Sequence, residues 1–213
     1  MMHRDRTGRV SLLHTAGLLL ALATCGPVLA SSVRELAFEE VVSLSALVFE
    51  GQVLGRETRQ LRDGSIHTFV RFRVLEVIKG SYAGEEIELS FLGGSIGGRT
   101  LQVSDLHMPG LDESGIYFVE SLTQAQVHPL VGWDQGHFLL AAQSGGAAIV
   151  TTAEHLPVVA LDAGAAPQAM SLSTGVAKGV MVRSGRGAAA ALSRPMSVDE
   201  FKQSVREIVT QAQ

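Results

Sequence analysis

From about residue 46 onward, apolar and polar positions alternate with a period of two, which is typical of half-buried β-strands. The clearest run extends from Ile66 to Ile78 and carries Arg71 and Arg73 on one face. Its other face carries Thr68, Val70, Phe72 and Val74. The apolar phase slips near Leu75, as it does where a β-bulge inserts an extra residue. We therefore predict a long strand with a bulge near Leu75.

Shorter runs of the same kind are separated by glycine-rich turns. Asp63-Gly64 is a strong hairpin signal in front of the long strand. Gly51 indicates a bulge or bend in the strand before that turn. The further predicted strands cover residues 47–54, 86–91, 100–103, 116–119, 136–140, 148–151 and 157–161. Regular short strands predict a mainly β domain, a small barrel or sandwich of about five to seven strands.

Helical patterns flank this region. Residues 33–43 are spaced for a short N-terminal helix or a strand-to-helix entry. Near the other end, Ser197 and Glu200 form a capping box after Pro195. The apolar stripe of the C-terminal helix consists of Phe201, Val205, Ile208 and Val209. Such a stripe either docks on the β-domain or binds a partner, and we expect the docked arrangement.

Between these elements lies a segment rich in small residues. From 163 to 192, 14 of 30 residues are Ala or Gly, without a sustained hydrophobic period. That composition predicts a linker or loop that folding does not need. The predicted organisation is a signal peptide over 1–30, a β-domain over 31–162, a linker or loop over 163–195 and a helix over 196–213.

The signal peptide is predicted from the order of chemistries at the N-terminus. A basic stretch is followed by the apolar run 18–23 and by small residues before a cut after Ala30. A membrane span needs about 20 apolar residues, more than this run provides. An alternative is lipidation at Cys25, because Leu22-Ala23-Thr24-Cys25 resembles a lipoprotein cleavage box. We expect a secreted or periplasmic protein whose mature chain begins at Ser31.

The net charge limits the kinds of partner that the protein binds, and the cysteine content limits how its fold is stabilised. The chain carries a formal net charge of −4, which becomes −6 when Arg4, Arg6, Arg9 and Asp5 leave with the signal peptide. Such a balance argues against nucleic acid and anionic membrane surfaces as partners. Cleavage also removes the single cysteine, so an apolar core rather than a disulfide has to stabilise the mature domain.

Several motifs in this order are similar to those of a group of uncharacterised secreted bacterial proteins. They are Ala46-Leu47-Val48-Phe49-Glu50-Gly51-Gln52-Val53, Thr68-Phe69-Val70-Arg71-Phe72, Val77-Ile78-Lys79-Gly80, Phe91-Leu92-Gly93-Gly94, Ile116-Tyr117-Phe118-Val119 and Val131-Gly132-Trp133-Asp134-Gln135-Gly136-His137-Phe138. The resemblance covers roughly residues 33–140 and the closing helix. It implies a small OB-like or netrin-like β-barrel and brings no established activity.

A netrin-like barrel suggests comparison with tissue inhibitors of metalloproteinases. Those inhibitors chelate the protease zinc through a disulfide-anchored N-terminal cysteine. A mature chain that begins at Ser31 has no cysteine. If this protein inhibits a protease, it does so by another mechanism.

The chain shows no local motif for catalysis or for a cofactor. Asp105 and His107 would share one face of a strand, but a metal needs a further ligand. The glycines from Gly93 to Gly98 lack the Lys-Ser/Thr ending of a phosphate loop, and no Gly-x-Ser-x-Gly is present. Asp112 and Glu113 are expected to be solvated turn residues. The histidines left after cleavage, none at zinc-site spacing, are His67, His107, His128, His137 and His155. We therefore predict no metal, cofactor or catalytic residue.

Two features are candidates for ligand binding. The first is Trp133-Asp134-Gln135, which lies between Gly132 and Gly136 and contains the only tryptophan. Tryptophan is common at binding hot spots and as a stacking platform for sugars. The alternative is an indole that plugs one end of the barrel.

The second candidate is an arginine face. A two-residue turn at Asp63-Gly64 would place Arg56 opposite Arg71, with Arg73 two residues further along. Like charges directly opposite each other are destabilising, which favours an anionic ligand or nearby carboxylates as neutralising partners. The candidate carboxylates are Glu76, Glu86 and Glu88. A solvated strand face is the alternative.

Together these features predict an exported, non-catalytic binding or interaction module. Its ligand would be a protein or carbohydrate in the cell envelope or outside the cell. One alternative is a hydrolase or metalloenzyme assembled from scattered residues such as Asp105, His107 and His137. The others are a protease inhibitor and a structural envelope protein.

Overall fold

Strands dominate the fold, as the alternating pattern predicted. The computed structural model describes residues 33–104, 106–143, 145–166, 171–183 and 194–212. The strands in these residues are β1 Leu47–Gln60, β2 Ile66–Lys79, β3 Glu86–Leu92, β4 Gly94–Ile96, β5 Arg99–Leu101, β6 Ser114–Val119, β7 His137–Ala141, β8 Ile149–Thr152, β9 Val158–Leu161 and β10 Val180–Val182. The helices are α1 Phe38–Leu44, α2 Val198–Gln211 and the 3-10 helix Trp133–Gly136. The predicted mainly β class with two terminal helices is confirmed.

The principal sheet is antiparallel and six-stranded, in the order β3-β2-β1-β6-β7-β8. Two small sheets join β4 to β5 and β9 to β10. All three sheets are open within the described residues, which is consistent with a small sandwich. The OB-like or netrin-like barrel implied by the resemblance stays an expectation.

The β1–β2 hairpin exists, but its turn is one residue longer than predicted. Leu61 N–H donates to the carbonyl of Ser65 (2.8 Å), and Gly64 takes a left-handed φ of 86°. A three-residue loop with a left-handed glycine shifts the register by one position. Arg56 therefore lies opposite Val70, so the predicted facing of Arg56 and Arg71 is wrong.

Beyond this turn, both predicted irregularities are confirmed. The pairing jumps from Glu50 with Glu76 to Gly51 with Val74, so Leu75 is the extra residue of a bulge. A Cβ at Gly51 would lie 2.6 Å from a carbon of the Phe49 ring, which explains the glycine. Farther along, Arg71 faces Gly55 and Arg73 faces Gln52.

Apolar side chains pack on both faces of the principal sheet. On one face, aromatic rings from α1, β6, β7 and α2 meet with centroids 4.8 to 6.4 Å apart. These rings belong to Phe38, Phe118, Phe138 and Phe201. The second cluster lies on β1, β2, β3 and β6 and includes Phe49, Phe72, Leu89, Phe91 and Tyr117. The strands that carry the candidate site are therefore held from both sides.

Residues 171–183, inside the predicted linker or loop over 163–195, pack against the rest of the domain. There β10 pairs with β9, and Leu172 and Lys178 form isolated bridges with Arg34 and Ala37. Ala177 and Val180 belong to the apolar core. Residues 167–170 and 184–193 lie outside the described residues. Sequence periodicity missed this segment because a three-residue strand is too short to show a period.

The C-terminal helix docks on the sheet as predicted. Ser197 and Glu200 form the capping box, and Phe201 and Val205 are fully buried. The helix also buries a charge: Lys202 Nζ lies 2.8 Å from a carboxylate oxygen of both Glu50 and Glu76. The helix is thus held by an apolar stripe and an ion cluster.

The terminal predictions are not tested by this fold. The signal peptide over 1–30, Cys25 and the expected first mature residue, Ser31, lie outside the described residues. Among the residues that are described, no helix combines the length and the apolar character that crossing a bilayer requires.

Candidate functional site

The segment Trp133-Asp134-Gln135 forms a tight turn that leads into β7. Gly132 and Trp133 are both left-handed, with φ of 59° and 61°. A positive φ is unfavourable for a bulky side chain and persists only where surrounding contacts hold it. Here Trp133 N–H donates to the Leu130 carbonyl at 3.1 Å. The indole itself is partly exposed, so it neither fully plugs an interior nor stands free.

Gln135 anchors this turn to the N-terminal segment. Its side chain has no exposed surface. The Oε1 atom accepts from Leu36 N–H at 2.8 Å, and Nε2 donates to the carbonyls of Arg34 and Gly132 at 3.0 and 3.1 Å. Because protein groups occupy these polar atoms, Gln135 positions the turn and does not line a surface.

Asp134 is also buried, but it holds a residue that is exposed. Its Oδ1 accepts from His107 N–H at 3.1 Å, and its Oδ2 lies 2.5 Å from His107 Nδ1. Half of the His107 side chain is exposed, compared with 7% for Asp134. The buried carboxylate therefore fixes the orientation of an imidazole at the surface.

His128 packs next to the indole, a role that the sequence did not predict. Its ring centroid is 5.8 Å from that of Trp133 and 4.9 Å from that of Phe91. Nδ1 accepts from Leu130 N–H at 3.2 Å. Burial lowers the pKa of His128 to about 4, against smaller opposing effects from the Leu130 and His107 backbone and from Asp134. The support under the indole is therefore an uncharged ring at neutral pH.

The structure joins the two predicted candidate regions through one loop. Arg56 Nη2 lies 3.0 Å from the sulfur of Met108, the residue that follows His107. Since His107 binds Asp134, residues 107 and 108 contact both the turn that carries Trp133 and the side chain of Arg56. We call Trp133, His107 and Arg56 the indole surface. It presents an aromatic ring, an imidazole and a guanidinium.

The other two arginines of the predicted face are matched by carboxylates of β3. In the sheet register Arg71 faces Glu88 and Arg73 faces Glu86. Arg71 Nε also lies 3.6 Å from Glu86, with both side chains more than half exposed. Internal glutamates therefore stand beside these arginines, as one of the alternatives expected. Ligand binding by Arg71 or Arg73 stays a prediction.

Glu113 is not the solvated turn residue that was expected. Its side chain is 20% exposed, and its Oε1 lies 2.7 Å from His137 Nε2 and accepts from Tyr117 OH at 3.0 Å. Its Oε2 accepts from Gly110 N–H at 3.0 Å. Burial raises the pKa of Glu113, but these partners outweigh it and lower the pKa below its usual value. The sequence around Glu113 does not predict its pairing with His137, because His137 lies 24 residues away.

The alternative of an enzyme site assembled from Asp105, His107 and His137 stays a prediction. His107 pairs with Asp134 and His137 pairs with Glu113, so the two histidines have different carboxylate partners. Asp105 lies outside the described residues. Among those described, no group of three His, Cys, Asp or Glu side chains is placed to hold a metal ion.

Comparison with known proteins gives no relative for this chain. No protein-family model, no curated protein and no solved structure matches it.

Proposed function

We propose that this protein is an exported binding module that contacts its ligand through the indole surface. The observation that supports this most directly is the conformation of Trp133. A partly exposed indole sits on a left-handed residue, at a position where the fold has to hold a costly φ. Such conformations cluster at functional sites, and tryptophan contributes strongly to binding.

The support beneath Trp133 is rigid. Gln135, Asp134 and His128 are all buried, and each contacts the turn or its neighbouring loop. A preorganised side chain loses little conformational freedom when a ligand arrives, which favours affinity. The turn therefore holds Trp133 in a fixed position before a ligand binds.

The chemistry of the indole surface suits a carbohydrate or a protein. An indole stacks on a sugar ring or fills an apolar pocket, while the imidazole and guanidinium supply hydrogen bonds and charge. Export is supported by the n-, h- and c-region order of residues 1–30. An enzyme is the second candidate, although no group of three His, Cys, Asp or Glu side chains in the described residues is placed to hold a metal ion.

The proposal is tested with protein purified from the periplasmic or secreted fraction, after mass spectrometry of its N-terminus. Immobilised wild type, Trp133→Ala and the control Leu75→Ala are exposed to the same fraction and to soluble oligosaccharides. Leu75 is 53% exposed and lies at the bulge of β2. A partner retained by wild type and Leu75→Ala should bind Trp133→Ala more weakly by about 2 kcal/mol or more.

Thermal melting of the same variants separates binding from folding. Trp133→Ala should cost clearly less stability than the roughly 3–5 kcal/mol lost when a core aromatic ring is truncated. Unchanged capture by Trp133→Ala, or a loss of binding that merely follows unfolding, would refute the indole surface as the contact. An N-terminus that carries an acylated Cys25 would replace the soluble exported form with a lipoprotein.

A further inference from the structure

The outer edge of β3 is open over a short stretch. Gly93 N–H donates to Ile66 O, and Val74 N–H donates to Glu85 O, both at 2.8 Å. Since backbone groups alternate in direction along an antiparallel strand, the N–H and C=O of Glu88 and Ser90 point away from β2. Among the described residues, these four groups have no hydrogen-bond partner.

Both ends of this stretch are already occupied. Leu92 N–H donates to the Val127 carbonyl at 3.0 Å. Tyr82 OH donates to the Glu86 carbonyl at 2.6 Å. The open part of the edge is therefore limited to the backbone groups of Glu88 and Ser90. That length is too short to make β3 a general aggregation edge.

A groove of about 440 Å³ runs along this edge, between β3 and residues 121–126. Its walls include Tyr82, Leu122, Gln126 and Pro129. The Oε1 atom of Gln126 is buried without a hydrogen-bond partner in the described part of the chain. A buried unpaired acceptor is unfavourable, so an N–H donor in the groove would be stabilising.

We infer that this groove binds an extended, basic peptide as an added strand next to β3. The four open backbone groups would pair with the peptide backbone, as in β-strand addition. The peptide is basic because no lysine or arginine lines the groove, whereas Glu88 does. The exposed Glu85 and Glu120 also lie within two residues of its walls in sequence. The groove shares no residue with the indole surface, so it adds a second contact.

A second copy of the domain fits this edge less well than a single peptide strand. The loop 121–127 stands beside β3 and bonds to it at Val127. If two β3 strands paired, each domain would bring its own loop against the other. A single extended peptide brings no such loop, so it can pair with β3 without this clash.

The test uses a blocked seven-residue peptide of alternating lysine and valine. Two further versions carry N-methyl groups, one on the valine nitrogens and one on the lysine nitrogens. An added strand uses only alternate N–H groups, so one version should lose binding about tenfold or more while the other keeps it. A glutamate-for-lysine peptide should bind weakly. Fluorescence anisotropy gives the affinities, and amide hydrogen exchange should show new protection at Glu88 and Ser90.

A matched pair of variants tests the edge from the protein side. Ser90→Pro removes the outward N–H without breaking a ladder bond, and Ser90→Ala keeps that N–H while losing the same hydroxyl. Only Ser90→Pro should weaken the peptide, and melting of both variants checks that they fold. Equal binding of the two N-methylated peptides, or of the acidic and basic peptides, overturns the inference. Protection of the same amides that rises with protein concentration alone would assign the edge to a second copy.

Discussion

His128 should make the protein lose stability in mildly acidic solution. The ring is 3% exposed, packs edge-on against Phe91 and accepts a hydrogen bond from Leu130 N–H. Burial, with a smaller contribution from His137, lowers its pKa from an ordinary 6.5 to about 4. Charging this ring in the folded state is therefore unfavourable.

The sign and size of the effect follow from proton linkage. The unfolded chain binds a proton at pH values below about 6.5, whereas the folded protein resists it until about pH 4. The stability that neutral His128 contributes is thus fully present above pH 6.5 and is lost as the pH falls towards 4. One pKa unit is worth about 1.4 kcal/mol, so the loss between pH 7 and pH 5 is about 2 kcal/mol.

Urea denaturation of wild type and His128→Asn at pH 7 and pH 5 measures this. Emission of Trp133, the only tryptophan, and circular dichroism both follow unfolding. Replacing His128 also removes packing contacts, and this lowers the free energy of unfolding equally at both pH values. The packing loss therefore cancels when the change from pH 7 to pH 5 is compared between the two proteins. We expect wild type to lose about 2 kcal/mol more than His128→Asn on acidification. Equal pH dependence in the two proteins would refute the buried, uncharged ring.

Two further predictions concern α2 and the segment before it. Lys202→Met should destabilise the protein by about 2 kcal/mol, because the carboxylates of Glu50 and Glu76 lose a partly buried partner. Urea unfolding at pH 7 measures this loss. The control is Gln203→Met, on the exposed face of the same helix. A loss no larger than that of the control would mean that the ion cluster contributes nothing. Val180→Asp should destabilise by about 3 kcal/mol or more, because it places a charge in the core, whereas Met181→Asp, at a position 53% exposed, should change little. Equal melting temperatures for these two variants would restore the linker interpretation of residues 171–183.

The elements of this fold that were predicted from sequence are those whose signal is local. Period-two alternation identified β2, and its slip identified the bulge at Leu75. The capping box and apolar stripe located α2, and even its docking followed from the stripe. Each of these patterns depends on residues two to four positions apart, whose geometry is set by the backbone itself.

What only the tertiary structure decided are contacts between distant segments and choices between similar turns. One extra residue in the Gly64 loop changed which residue Arg56 faces. Gln135 was expected at a surface and is instead fully buried, because it bonds to Leu36, 99 residues away. Glu113 became a partly buried partner of His137 for the same reason. Short β10 gained its structure from β9 and the core, since three residues carry no period of their own.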